Sequence, residues 1–135
     1  MALGNLLYEE KGKQLSARAA DLVEPTAEIS GTGSMKYENV NINTHWTISV
    51  KLGQNGISYA QGRGIMSADN NEVGTYSMIG ITKPNSSGSS SSRGVSMFKT
   101  TSNGGKLSLL DDLVLVYELE QDTDGNYSAK YWEWK

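Results

Sequence analysis

The residue types that most often carry catalysis are scarce in this chain. It contains one histidine, His45, and no cysteine, which excludes disulfides, thiolate metal sites and a cysteine nucleophile. A catalytic triad needs a base held within hydrogen-bond reach of a nucleophile and an orienting carboxylate. His45 falls on the polar face of a predicted strand, so we interpret it as a surface residue. We predict no catalytic residue, no metal site and no cofactor.

Two further motifs resemble known sites and lack the required spacing. The segment Asp122-Thr-Asp-Gly125 is similar to part of a calcium loop, but the EF-hand needs glycine at position six and glutamate at position twelve. We predict a hairpin turn there. The glycine pairs Gly31-Thr-Gly33 and Gly62-Arg-Gly64 lack the spacing of a phosphate-binding loop, and glycine in a barrel strand more often permits coiling, a bulge or close packing.

The stretch from Ile57 to Ser67 leaves two interpretations open. Tyr59 and Arg63 share one face of this predicted strand, together with Ile57, Gln61 and Ile65. If that face points inward, Arg63 enters the barrel and needs a carboxylate or an acidic ligand as partner. Alternatively, Arg63 lies near the rim of the barrel and its guanidinium group reaches solvent.

Aromatic residues supply the candidate binding surface. Trp46, Trp132 and Trp134 lie on the apolar faces of their predicted strands, where they would line a ligand cavity or simply fill a core. We therefore predict a ligand-binding lumen formed by Trp46, Tyr59, Arg63, Tyr117, Trp132 and Trp134. Val114 and Val116 alternate with Tyr117, so they would point outward and favour a subunit interface.

The elements that position these residues are short strands separated by turns. Side chains alternate most clearly over Thr44–Leu52, where Trp46, Ile48 and Val50 share a face. Further strands are predicted over 57–67, 72–82, 93–101, 113–121 and 127–135. The fold class is therefore all-β, as one antiparallel, mostly up-and-down barrel of about eight strands. A β-sandwich is the alternative.

The other segments are predicted as follows. Residues 6–11 and 14–22 form a hairpin around Gly12, although 14–24 also fits a short helix. Residues 26–38 add one or two strands, and 107–111 form a helical turn or loop. The serine-rich segment 85–92 is a mobile loop because it has no apolar area to bury.

Length and composition define the broad class of protein. The 135 residues fit one domain, 1–135, and the net charge of −3 with scattered Lys and Arg argues against a nucleic-acid partner. We find neither a signal peptide nor a segment of about 20 apolar residues. We therefore expect a soluble, cytoplasmic protein with no membrane partner.

A resemblance to known proteins rests on five stretches of the sequence: Gly62-Arg-Gly-Ile-Met, Val73-Gly-Thr-Tyr76, Arg93-Gly-Val-Ser-Met-Phe98, Asp122-Thr-Asp-Gly125 and the final Trp132-Glu-Trp-Lys135. The chain resembles a group of small uncharacterised prokaryotic β-barrel proteins that end in a similar strand. Their general shape is similar to allene-oxide-cyclase-like and lipocalin-like barrels. The resemblance implies the fold, and no position matches a cyclase catalytic motif.

Three hypotheses about function follow. The first is a non-enzymatic barrel that binds a small, partly apolar molecule. The second is an enzyme of the cyclase or isomerase type acting on an apolar substrate, with Tyr59, Arg63 and Glu118 as first candidates. The third is a structural or interaction protein that acts as a homo-oligomer through its outer β surface.

Overall fold

The protein forms a closed antiparallel barrel in which every strand pairs with its neighbours in chain order and the first strand pairs with the last. The computed structural model describes residues 3–100 and 105–135. The strands are β1 (Leu3–Asp21), β2 (Thr26–Tyr37), β3 (Val40–Leu52), β4 (Ser58–Ala68), β5 (Val73–Pro84), β6 (Ser90–Thr100), β7 (Val114–Gln121) and β8 (Asn126–Trp134). The predicted up-and-down barrel of about eight strands is confirmed.

Alternation along β3 and β7 separates the lumen from the outer surface as expected. In β3, Thr44 and Trp46 are buried inside the barrel, and His45 is exposed on the outside. In β7, Leu115 and Tyr117 are buried while the intervening Val116 lies on the outer face. The period of two that predicted these strands therefore also gives the correct side for each residue.

The first strand differs from the prediction. Residues 3–21 form one continuous strand that pairs with β2 on one edge and β8 on the other, so both the hairpin around Gly12 and the alternative helix are wrong. A Cβ atom at Gly12 would lie 2.2 Å from the carbonyl oxygen of Thr32 and 2.6 Å from the hydroxyl oxygen of Tyr127. Glycine is required here for a close approach between strands, and it does not mark a turn.

The inward face of β4 is the opposite of the one that Tyr59 and Arg63 would need. Ala60 and Met66 are buried in the lumen, whereas Tyr59 is 53% exposed on the outer surface. Gly64 shares the inward face because a Cβ atom there would lie 2.4 Å from the ring of Tyr76. The prediction that Tyr59 and Arg63 line the lumen is therefore wrong, since rings from neighbouring strands already fill the space beside β4.

The two tryptophans of β8 also lie outside the lumen. Tyr127, Ala129 and Tyr131 are the buried, inward residues of this strand. Trp132 is half-buried and pairs with Val116 and Leu6, and Trp134 is 50% exposed. Because the tyrosines occupy the inner face, the predicted lumen positions of Trp132 and Trp134 are wrong.

The serine-rich segment is shorter as a loop than predicted. β6 begins at Ser90, so the turn covers 85–89, where the Asn85 amide donates to the Ser89 carbonyl at 2.8 Å. Ser92 pairs with Thr82, and their hydroxyl oxygens lie 2.6 Å apart. Hydroxyl hydrogen bonds and ladder pairing support the strand without apolar side chains. The predicted end of this strand, Thr101, lies outside the described residues.

The two ends of the barrel differ. A 3-10 helix, η2 (Lys106–Leu110), closes one end with Leu107 and Leu110 fully buried, in agreement with the helical turn predicted there. The Leu107 amide donates to Oε1 of Glu72 at 3.2 Å, which fixes this plug to the barrel wall. The hairpin turns at 22–25, 53–57, 85–89 and 122–125 surround the other end. No helix in the described ranges is long and apolar enough to cross a membrane.

Replacing Gly12 with alanine tests the close approach between strands. We expect Gly12→Ala to lower the free energy of unfolding by about 1–3 kcal/mol, because the new Cβ would collide with a backbone oxygen. Urea denaturation measures the loss. Gly4→Ala is the control in the same strand, since its nearest neighbour, Cε of Lys135 at 3.2 Å, belongs to a flexible side chain. Equal losses in both variants would contradict the packing described here.

Candidate functional site

A cavity of about 280 Å³ lies inside the barrel towards its open end. Its lining combines three kinds of side chain. Hydroxyl and amide groups come from Gln14, Ser58, Thr82, Ser90, Ser92 and Gln121. Apolar side chains come from Ala27, Ile29, Ile48, Val50, Ala60, Met78 and Leu119. Aromatic rings and one carboxyl group complete the lining: Glu10, Trp46, Tyr76, Tyr117, Tyr127 and Tyr131.

The carboxyl group of Glu10 is the centre of a buried hydrogen-bond network, which we name the Glu10 cluster (Glu10, Thr44, Trp46 and Tyr127). The Thr44 hydroxyl donates to Oε2 of Glu10 at 3.1 Å, and the Tyr127 hydroxyl donates to the same oxygen. Nε1 of Trp46 donates to the Tyr127 oxygen at 2.9 Å. Since an indole N–H can only donate, the chain runs from Trp46 through Tyr127 to Glu10.

Three strands bring the Glu10 cluster together across the barrel. Glu10 comes from β1, Thr44 and Trp46 from β3, and Tyr127 from β8. Gly33 of β2 lies between them, and a Cβ atom there would lie 2.4 Å from both Oε2 of Glu10 and the hydroxyl oxygen of Tyr127. The absence of a side chain at Gly33 is therefore a condition for these hydrogen bonds.

Burial opposes ionisation of Glu10, and hydrogen bonds favour it. Glu10 is 2% exposed, and the loss of hydration raises the pKa of its carboxyl group above the ordinary value. Hydrogen bonds from Tyr127, Thr44 and Tyr131 act in the opposite direction and leave a net rise. No Lys, Arg or His side chain lines the cavity in the part of the chain that the structure describes. The carboxyl group thus has hydrogen-bond donors but no counter-ion.

The tyrosines around Glu10 are held in their neutral form. Burial, followed by the charge of Glu10, raises the pKa of Tyr8, Tyr76, Tyr127 and Tyr131 above the ordinary phenol value. The rings of Tyr8 and Tyr131 stack with centroids 4.6 Å apart. These hydroxyl groups therefore serve as neutral donors and acceptors around the carboxyl group.

Tyr117 carries a hydroxyl group without a hydrogen-bond partner among the described residues. Its side chain is 2% exposed, and burial raises its pKa to about 12. The ring lies over Gly80, where a Cβ atom would be 2.1 Å from the hydroxyl oxygen. Buried polar atoms are rarely left unpaired. Tyr117 lines the cavity, while its hydroxyl oxygen is enclosed by neighbouring atoms.

The sequence-based site is recovered in part. Trp46 and Tyr117 line the cavity, whereas Tyr59, Arg63, Trp132 and Trp134 do not. Sequence analysis missed one acidic and three aromatic residues of the lining: Glu10, Tyr76, Tyr127 and Tyr131. Alternation of Tyr127, Ala129 and Tyr131 was a signal for an inward face in β8, but the larger tryptophans outweighed it. Glu10 lies in the predicted strand 6–11, but two adjacent glutamates, Glu9 and Glu10, are typical of a solvent-exposed segment.

The described residues form no metal-ion site beside the cavity. Among residues 3–100 and 105–135, no three His, Asp or Glu side chains form a group that could hold a metal ion. Glu118, a candidate of the enzyme hypothesis, is exposed on the outer surface with Oε1 at 3.7 Å from Nη2 of Arg93. The chemistry of the lumen is therefore that of one carboxyl group, neutral hydroxyl groups and aromatic rings.

Replacing Glu10 with glutamine tests the buried carboxyl group. A raised pKa in the folded state means that the contribution to stability is full at low pH and is lost as pH rises through that pKa. We expect the unfolding free energy of wild type to fall relative to that of Glu10→Gln as pH rises above about 4, the ordinary pKa of a glutamate side chain. Urea denaturation at increasing pH measures the difference.

The exposed neighbour Glu9 provides the control for this measurement. The difference in unfolding free energy between Glu9→Gln and wild type should change little with pH, because an exposed side chain keeps its hydration in the folded state. A pH-independent difference for Glu10→Gln would show that its carboxyl group is not desolvated.

No protein-family model and no curated protein matches the sequence. Similar folds occur in solved structures. A protein with unknown function from Clostridium acetobutylicum has a TM-score of 0.79 and 15% identity, with 100% of both chains covered. A conserved protein of unknown function from Rhodopseudomonas palustris has a TM-score of 0.81 and 11% identity, with 99% of both chains covered. A beta-barrel like protein from Acinetobacter baumannii has a TM-score of 0.78 and 12% identity, and the match covers 98% of this chain and 96% of the Acinetobacter chain.

These likenesses extend over nearly the full length of each chain and show the fold alone. They support the resemblance to small uncharacterised β-barrel proteins, and they do not extend to allene-oxide-cyclase-like or lipocalin-like barrels in particular. They indicate no specific function, so a function has to be argued from the lumen of this chain.

Proposed function

We propose that the protein is a non-enzymatic barrel that binds a small, partly apolar molecule in its lumen, in the manner of lipocalin-like barrels. The observation that carries the proposal is the cavity of about 280 Å³, whose wall is mostly apolar with a few hydroxyl and amide side chains. Small-molecule sites are concave, mostly apolar, and contain a few polar groups that fix orientation.

The size of the cavity limits the ligand. Sites for drug-sized molecules span about 300–1,000 Å³, so this lumen suits a smaller molecule. Ile29, Ile48, Met78 and Leu119 offer it an apolar surface, and burial there contributes about 25 cal/mol per Å². Side chains of the lining such as Ser58, Thr82 and Gln121 can donate a hydrogen bond to a polar atom of the ligand or accept one from it.

The enzymatic alternative, a cyclase or isomerase, loses its original support. Its candidate residues Tyr59, Arg63 and Glu118 lie on the outer surface, away from the lumen. The binding proposal needs none of them, because it depends on the shape and lining of the cavity.

A variant that fills the lumen tests the binding proposal. We expect wild type to bind 2-phenylethanol, a small neutral probe, and Ala60→Phe to lose this binding because the new ring occupies the cavity. Isothermal titration calorimetry measures both. Gln61→Phe is the matched control, since Gln61 points outward from the same strand and should leave affinity unchanged.

Circular dichroism establishes that Ala60→Phe is folded, and Met78→Trp serves as a second filling variant if it is not. Native mass spectrometry of protein purified from its own source gives an independent test through a retained ligand. Equal affinity in wild type and a folded filling variant would contradict binding in the lumen.

A second candidate function rests on the outer surface. The register places five apolar side chains in one row across five adjacent strands, and we name this row the outer belt: Leu6, Ile79, Val95, Val116 and Trp132. At about 4.8 Å between strands, the belt extends for about 19 Å. Contiguous exposed apolar surface of this kind favours a protein interface. We propose a second copy of the chain as its partner, through a symmetric interface.

Sedimentation velocity tests the outer belt. We expect a dimer for wild type and a shift to monomer for Ile79→Lys, because a lysine buried in an apolar interface must be desolvated. Leu15→Lys is the control: Leu15 is 64% exposed on β1 but lies outside the belt. A monomeric wild type at high concentration would contradict this second function and leave lumen binding unaffected.

A further inference from the structure

We infer that the ligand of the lumen is a small organic cation, such as a protonated amine with an apolar substituent, whose charged group lies against Glu10. This inference rests on the proposed binding function and adds the charge class of the ligand. It depends on three features of the described residues: a carboxyl group without a counter-ion, a hydrogen-bond chain directed at it, and aromatic rings around it.

The first feature is the missing counter-ion of Glu10. A buried carboxylate is costly unless a positive charge or several hydrogen bonds compensate it. Glu10 is 2% exposed, yet the cavity that it borders contains no Lys, Arg or His among residues 3–100 and 105–135. Described ion pairs such as Arg18–Glu28 and Arg93–Glu118 lie on the outer surface. The lumen thus has one acidic group and space beside it.

The second feature is the direction of the hydrogen bonds. Trp46 donates to Tyr127, so the Tyr127 proton is available to Glu10, and Thr44 donates to the same carboxyl oxygen. Both hydroxyl groups of the Glu10 cluster, those of Thr44 and Tyr127, therefore donate to Glu10, and accepting is the role of an ionised carboxyl group. The cluster holds the group ready for a cation.

The third feature is the aromatic lining. Trp46, Tyr76, Tyr117 and Tyr131 border the same cavity as Glu10. The face of an aromatic ring attracts a cation, and the attraction strengthens where water is excluded. An anionic ligand would find no Lys, Arg or His among the described lining residues and would be repelled by ionised Glu10. A neutral ligand would leave the carboxyl group without compensation.

A set of three probes with one phenyl ring and different charge tests this inference. We expect wild type at pH 7 to bind 2-phenylethylamine about tenfold or more tightly than 2-phenylethanol, and 3-phenylpropanoate most weakly. Isothermal titration calorimetry measures the three dissociation constants. In Glu10→Gln the preference for the amine over the alcohol should disappear, while binding of the alcohol is retained.

The outcomes separate this inference from the proposed function. If the alcohol binds as tightly as the amine, or the acid binds best, the cation inference is overturned and lumen binding stands. If none of the three binds, the proposed function fails as well. Retention of the amine preference in folded Glu10→Gln would also overturn the role of Glu10. If that variant does not fold, the wild-type order of the three probes decides.

Discussion

The interior volume of a closed barrel is the constraint on which the rest of this structure depends. Because β1 pairs with both β2 and β8, no edge remains through which a large inward side chain could escape. Five of the large inner rings therefore lie over a position without a side chain. They form aromatic–glycine pairs between strands: Trp46 with Gly31, Tyr76 with Gly64, Phe98 with Gly74, Tyr117 with Gly80 and Tyr127 with Gly33.

The same pairing creates the cavity and its chemistry. Rings that lie flat over glycine leave space in the centre of the open half, while η2 fills the closed half with Leu107 and Leu110. The absence of a side chain at Gly33 also allows Tyr127 to reach Glu10 and form its hydrogen bond. The glycine therefore contributes to the chemistry of the lumen as well as to its packing. The polar groups of the lumen are thus positioned by strands on several sides of a rigid wall, which favours a preorganised site.

Sequence patterns predicted the strands well and their inward faces unevenly. In β3 and β7 one face is clearly more apolar, so alternation alone identifies the lumen side. In β4 the outward face carries Tyr59 and Ile65, and the inward face carries Ala60 and two glycines, so hydrophobicity favours the wrong side. The inward face of β4 is determined by the size of the rings on neighbouring strands. The sequence of a single strand does not show which rings those are.

The site was harder to predict than the fold for a related reason. Gly12 resembles a turn residue when considered alone, and the predicted hairpin placed Glu10 near the end of a short strand, 6–11, whereas it lies in the middle of β1. Glu9 and Glu10 together resemble a solvent-exposed charged segment. Burial of the Glu10 carboxyl group depends on donors from strands that are distant in sequence, such as Thr44 and Tyr127. Such long-range partners have no signature in the sequence around Glu10.

The ionisation of Glu10 provides the most direct test of cation binding in the lumen, because this carboxyl group has hydrogen-bond donors but no counter-ion among the described residues. Carbon-13 NMR of the Glu10 carboxyl carbon across pH, in the free protein and with 2-phenylethylamine bound, reports this ionisation. The account predicts a pKa above that of ordinary glutamate in the free protein and a lower pKa when the amine is bound. An ordinary pKa that the amine leaves unchanged would contradict it.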